Sequence, residues 1–202
     1  MPYSDELVAH KLRRWEKYLN NYKLPEWDAI PDFGLYMEQV IDFLKLQLDY
    51  MPPELKEEQF ITASTINNYV RTNVMPKPVK KKYYRIHIAY LIIILTLKQS
   101  LSIAMIQKII PMDISEDEIE QIYTNYIKWH SLTAVFFTRS VRDSAAKILN
   151  HSDIPELAVD SAEDLILGSA ITAGFARLFA EKLLLLDDKD MEETLLDEQP
   201  RE

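Results

Sequence analysis

From Ile86 to Leu97 the chain reads IHIAYLIIILTL, an uncharged run of 12 residues broken only by His87, Tyr90 and Thr96. On a helix this run is apolar on nearly every face. Such a helix must be surrounded by protein or by lipid. A membrane span needs roughly 20 apolar residues, so the run is too short and no membrane association is expected. It predicts instead the central helix of a small bundle, over Ile86 to Lys98, around which the rest of the chain must pack. Only three glycines occur in 202 residues, which argues against a sheet built on tight hairpins. The expected fold class is all-α, with at most a small β-ribbon around Val79 to Tyr84.

The helical periodicity on either side fits that frame. Val8, Leu12, Trp15, Leu19 and Tyr22 share one face of a first helix that Ser4 can cap. A linker with two prolines follows, and its Trp27 is expected to pack onto the core. A second helix is predicted from Asp32 or Phe33 to about Tyr50, burying Met37, Val40, Ile41, Leu44, Leu48 and Met51. Pro52 and Pro53 stop it. Thr62 or Ser64 can cap a short helix to Arg71, after which Asn73 supplies the left-handed residue that ends it. Pro76 and Pro78 make the next segment extended. Ser102 opens a helix to Ile110, and Ser115 with Glu118 forms a capping box. The pattern then runs to Leu149 as one long helix, or as two with a break near His130 and Ser131. A last helix is expected from Ser161 to Leu186, with a small-residue patch at Gly168, Ala170, Ala173, Gly174 and Ala176. The expected organisation is an N-terminal helix and linker over 1–31, a unit over 32–112 that holds the short polar helix and the central helix, a helical domain over 113–186 and an acidic, disordered tail over 187–202.

Charge divides the chain unevenly. The whole protein has 23 basic and 32 acidic residues, for a formal net charge of -9. From Gln59 to Met112, 54 residues contain no Asp or Glu, yet Arg71, Lys77, Lys80, Lys81, Lys82, Arg85, Lys98 and Lys108 lie there. A basic island in an acidic protein points to an anionic partner for that island alone.

The classes of chemistry thin out quickly. There is no cysteine, which removes disulfides, thiolates and Cys-ligated zinc and makes the cytoplasm the simple reading. His10, His87, His130 and His151 never stand three or four apart, so helical metal-ligand spacing is missing. No nucleophile elbow, phosphate-cradling glycine loop or dinucleotide fingerprint is present. No enzymatic activity, cofactor or metal is expected. The aromatic cluster Tyr123, Tyr126, Trp129, His130, Phe136 and Phe137 reads first as core and second as a small-ligand pocket.

The island itself reads as a helix-turn-helix with a basic wing. Ser64, Thr65, Asn67, Asn68 and Arg71 form the polar face of the short helix, and amides there can bond adenine edges in a major groove. Lys77, Lys80, Lys81, Lys82 and Arg85 would neutralise phosphates, and Tyr83 and Tyr84 would meet sugar or phosphate.

The run Thr65-Ile66-Asn67-Asn68-Tyr69 … Asn73-Val74-Met75-Pro76, then a basic loop, Tyr83-Tyr84-Arg85 and an apolar helix, resembles the winged helix-turn-helix of MerR-type bacterial regulators. Ser100-Leu101-Ser102-Ile103 … Ile106 is similar to a later element of that family. The stretch INNYV…PKPVKKKYY…HIAYLIIIL is also similar to an uncharacterised bacterial domain-of-unknown-function family with a MerR-like N-terminal part. The resemblance implies a DNA-binding transcriptional regulator, double-stranded DNA as partner and a homodimer, with the effector unspecified. Asn67, Asn68 and Asn73 stand where the regulators keep an arginine, a tyrosine and a glycine, so the operator does not carry over. The alternative is a helical protein-binding adaptor whose basic island meets an acidic surface.

Overall fold

The computed structural model describes residues 23–48 and 61–149, with Ala9, Arg13, Thr172, Ala173, Ala176 and Arg177. Among them are a 3-10 turn, Trp27–Ala29, and six α-helices: α1 Met37–Gln47, α2 Ala63–Arg71, α3 Arg85–Leu97, α4 Ile103–Ile109, α5 Glu116–Ser144 and α6 Ala146–Leu149. No strand occurs among the described residues. Two isolated antiparallel bridges, Leu35 with Tyr83 and Val79 with Lys82, stand where the ribbon was expected. Most of the expected first helix, the segment 49–60, most of 150–186 and the tail lie outside the described residues.

The apolar run becomes the axis. Every residue of α3 from His87 to Thr96 is buried, and Ile88 to Leu95 are wholly closed to solvent. Thr96 tolerates this because its hydroxyl donates back to the Ile92 carbonyl at 2.8 Å. Along α3 lies α5, with Ile119, Tyr123 and Ile127 buried at steps of four. On other sides α3 meets α1 and α4, and α1 also meets α2. The buried cluster runs from Leu24, Trp27 and Ile30 in the linker through these helices to Ile127.

Local chemistry sets most helix starts. Thr62, not Ser64, caps α2, its hydroxyl accepting from the Thr65 amide at 3.1 Å. Ser102 caps α4. The box at the head of α5 closes both ways: the Ser115 amide donates to Glu118 at 2.8 Å and the Glu118 amide to Ser115 at 3.3 Å. These bonds lower the Glu118 pKa, the Ser115 hydroxyl contributing most.

Three expectations shift. The second helix begins at Met37 rather than Asp32 or Phe33, because Leu35 is drawn into the bridge with Tyr83 and the Tyr36 amide then donates to Gln39 at 2.9 Å. The central helix spans Arg85 to Leu97 rather than Ile86 to Lys98, with Lys98 closing it. The long pattern is one helix through His130 and Ser131. It breaks at Ala145, ahead of the short α6.

Candidate nucleic-acid interface

Helix α2 buries Ile66 and Tyr69, with Val70 half-buried. Its other side carries Ser64, Asn67, Asn68 and Arg71, all exposed, with Thr65 half-buried against Thr62. Arg71 donates to the Asn68 side-chain oxygen at 2.7 Å, so these two act as one unit, whereas Asn67 has no such bond. The helix ends as its sequence predicts. Asn73 takes a left-handed φ of 53°, a conformation asparagine adopts more readily than most residues, and Gln107 of α4 donates to its carbonyl at 3.2 Å. Directly after it the chain is anchored again, with Val74 and Met75 buried.

The extended segment then doubles back. Val79 and Lys82 exchange backbone hydrogen bonds, 3.0 Å each way, around a two-residue turn at Lys80 and Lys81. Both turn residues have positive φ, 49° and 64°. Tight hairpins of this kind favour Asn-Gly, because at positive φ a Cβ crowds the backbone carbonyl, which glycine escapes and asparagine tolerates. This chain places two lysines in that position. Both are exposed, as is Lys77, and none of the three has an acidic partner among the described residues.

The returning limb is held from several sides. Leu35 and Tyr83 exchange backbone bonds of 2.8 Å each way. Lys82 lies over the Tyr36 ring, its Nζ 5.3 Å from the centroid. Gly34 is required beneath it: a Cβ there would stand 2.8 Å from Lys82 Cβ and 2.9 Å from Tyr84 Cζ. The Tyr83 ring is buried, and burial raises its pKa as it does that of Tyr69. Tyr84 is half-buried.

The structure therefore divides the predicted site residues. Asn67, Asn68, Arg71, Lys77, Lys80 and Lys81 present side chains to solvent. Tyr83 belongs to the core, and Lys82 braces the hairpin against Tyr36. Arg85 is engaged elsewhere. Its Nε donates to the Ile30 carbonyl at 2.9 Å, one terminal nitrogen lies 3.4 Å from Asp28, and the guanidinium sits over the Trp27 ring at 5.6 Å. Arg85 thus pins the linker to the head of α3.

His87 reads from the sequence as a core or interface histidine, and it is buried, but its part in capping α3 was not legible there. It lies at the third position of α3, where capping boxes keep a Glu or Gln that reaches back to the N-cap amide. Here the imidazole takes that part, and Nδ1 accepts from the Tyr84 amide at 3.0 Å. The aromatic cluster of α5 does not converge on one pocket. Tyr123 is buried, its hydroxyl donating to the Pro25 carbonyl at 2.7 Å and its ring 6.0 Å from Trp27. Tyr126 bonds Thr96. Trp129 and Phe136 are exposed on the opposite side, with Leu132 and Val135. No helix among the described residues is long and apolar enough to cross a membrane.

The fold and site thus define an all-α protein with a basic hairpin set between two of its helices. Residues 25–128 match a family described as a domain of unknown function (DUF1836). The chain belongs to that family, and the matched span takes in the linker, the hairpin and the first half of α5. No curated protein and no solved structure gives a match.

Proposed function

We propose that this protein is a bacterial transcriptional regulator that binds duplex DNA through α2 and the basic hairpin. The reading rests on one observation above the others. Lys80 and Lys81 occupy a two-residue turn whose backbone disfavours them, and neither has an acidic partner among the described residues. Strain held at an exposed position is an indicator of function. Here it sets two exposed cations at the tip of a hairpin, where a phosphate backbone can take them.

The order of elements supports the same reading. A bridging residue, a helix, a second helix, a hairpin paired back to the bridging residue, and a buried helix is the order of a MerR-like winged helix-turn-helix. In that arrangement α2 enters the major groove. Asn67 reads base edges directly, and Asn68 orients Arg71 for a guanine edge or a phosphate. Lys77, Lys80 and Lys81 position the protein on phosphates without reading sequence.

Duplex binding measured at several salt concentrations tests the proposal. With Arg71, Lys77, Lys80 and Lys81 on phosphates, the log-log salt slope is about 3.6 per monomer. Asn68→Ala should change sequence preference, while Lys81→Ala should weaken all sequences alike. No affinity for duplex DNA at low salt would end the proposal.

A second element of the reading is the homodimer. Trp129, Leu132, Val135 and Phe136 form an exposed apolar stripe on the side of α5 turned away from α3, and such stripes mark protein contacts. The same stripe favours the adaptor reading if the hairpin meets an acidic protein instead of DNA. Sedimentation of the free protein, with Phe136→Lys as the control, reads the oligomeric state.

A further inference from the structure

We propose that His87 is a proton-sensitive latch on the basic hairpin, so that duplex affinity is lost when its ring takes up a proton. The proposal rests on the DNA-binding reading for its consequence and on the hairpin geometry for its mechanism.

The geometry is specific. The hairpin leaves the core at Lys77 and returns at Tyr84, and the His87 ring bonds both places. Nδ1 lies 3.0 Å from the Tyr84 amide, and Nε2 lies 3.0 Å from the Lys77 carbonyl. An amide can only donate and a carbonyl can only accept. Nδ1 must therefore carry a lone pair and Nε2 the hydrogen. Both ring nitrogens are committed, and only the neutral ring in this one tautomer satisfies both.

Protonation adds a hydrogen to Nδ1, where it meets the Tyr84 N–H. The bond that caps α3 then becomes a clash between two donors. The ring must turn, and one turn releases both ends of the hairpin. The residues next in line, Tyr83 and Tyr84, carry the pairing with Leu35 and the packing on Gly34. Displacing them moves the tip with Lys80 and Lys81.

The surroundings oppose the charged ring. The side chain is buried, and burial lowers its pKa from the ordinary histidine value. The Lys77 carbonyl pulls the other way. A backbone bond to a histidine ordinarily favours the imidazolium, but the Tyr84 amide offers only a hydrogen and so favours the neutral ring. The titratable groups facing the ring are Tyr83, edge-on at 5.8 Å, and Tyr84 at 6.2 Å. The charged groups on the hairpin side are Lys77 and Lys82, both cationic, and Arg85 on α3 itself is paired with Asp28. Among the described residues no carboxylate acts on the ring. A new positive charge would find no counter-ion among them.

The sign of the effect separates this latch from bulk titration. The protein is acidic overall, so lowering pH removes negative charge and by itself tightens binding to DNA. The latch acts in the opposite direction.

The test compares native protein with His87→Gln, using a mixed-sequence duplex of about 30 base pairs at fixed salt between pH 8 and 5. Glutamine keeps one acceptor for the Tyr84 amide and one donor for the Lys77 carbonyl, and it takes up no proton. Native affinity should fall by up to about tenfold per pH unit below the histidine midpoint, the limit for one linked proton. Affinity of the glutamine variant should stay level or rise. Equal falls in both proteins overturn the latch, as does native affinity that does not fall. Amide spectra of the free native protein over the same range give the second readout. The amides of Val79, Lys82 and Tyr84 should shift together with the His87 ring. Hairpin amides that ignore the ring's titration overturn the latch whether or not the variant folds. Absence of duplex binding at every pH defeats the DNA-binding reading alone, and the amide spectra then judge the latch by themselves.

Discussion

Leu35 and Tyr83, far apart in the chain, exchange both of their backbone hydrogen bonds at 2.8 Å. This one pair seats the basic hairpin against the start of α1 and fixes where that helix begins. The residues before and after it, Gly34, Tyr36, Lys82 and Tyr84, touch because this pair brings them together.

Gly34→Ala should loosen that seat. The new methyl would stand 2.8 Å from Lys82 Cβ and 2.9 Å from Lys82 Cδ and Tyr84 Cζ, so the returning limb must move. Overpacking of this kind costs about 1–3 kcal/mol. Urea unfolding should show that loss, and duplex affinity should fall with it.

Changing the turn to its unstrained sequence separates stability from charge. Lys80→Asn with Lys81→Gly eases the strain at φ 49° and removes it at φ 64°, where glycine has no Cβ. Stability should rise by about 1–2 kcal/mol. The salt slope for duplex binding should drop by roughly 2, since two phosphate contacts are lost. A variant that is stabilised and keeps its full salt slope would show that the lysines do not touch phosphate.

Tyr123→Phe removes the donor that meets the Pro25 carbonyl at 2.7 Å and keeps the ring beside Trp27. A buried carbonyl left without a partner costs about 1–3 kcal/mol. Because the bond joins α5 to the linker, thermal unfolding should move down with no change in helix content at 20 °C or so.

Stability should decline on the acid side of neutrality. His87 and His130 both have pKa values lowered in the folded protein, burial being the first cause in each. The unfolded chain then binds protons before the folded one. Their contribution is complete above the ordinary histidine value of about 6.5 and is lost as pH falls from there through the folded values. Glu118, with its pKa lowered by Ser115, adds a second loss in the carboxylate range. Unfolding midpoints between pH 8 and 4 should show two declines, and His87→Gln should shrink the first.

Most helix starts among the described residues, and the charge island, were legible in the residues alone. An uncharged apolar run too short for a membrane had to become the axis of a bundle, and α3 did. Thr62, Ser102 and Ser115 set the starts of α2, α4 and α5, because a capping bond joins residues three apart and needs no tertiary partner. Asn73 was legible for the same reason, as was the basic island. Which of the island's residues face outward depends on packing between distant segments. Tyr83 and Arg85 read as contact residues because tyrosine and arginine suit phosphates, but the pairing with Leu35 turns Tyr83 into the core, and Trp27, Asp28 and Ile30 take up Arg85. His87 likewise shows its part only once Lys77 and Tyr84 are brought to its two nitrogens. Helix caps and periodicity act within a few residues, whereas pairings between distant segments depend on how the chain returns around α3, and a local pattern holds no record of that.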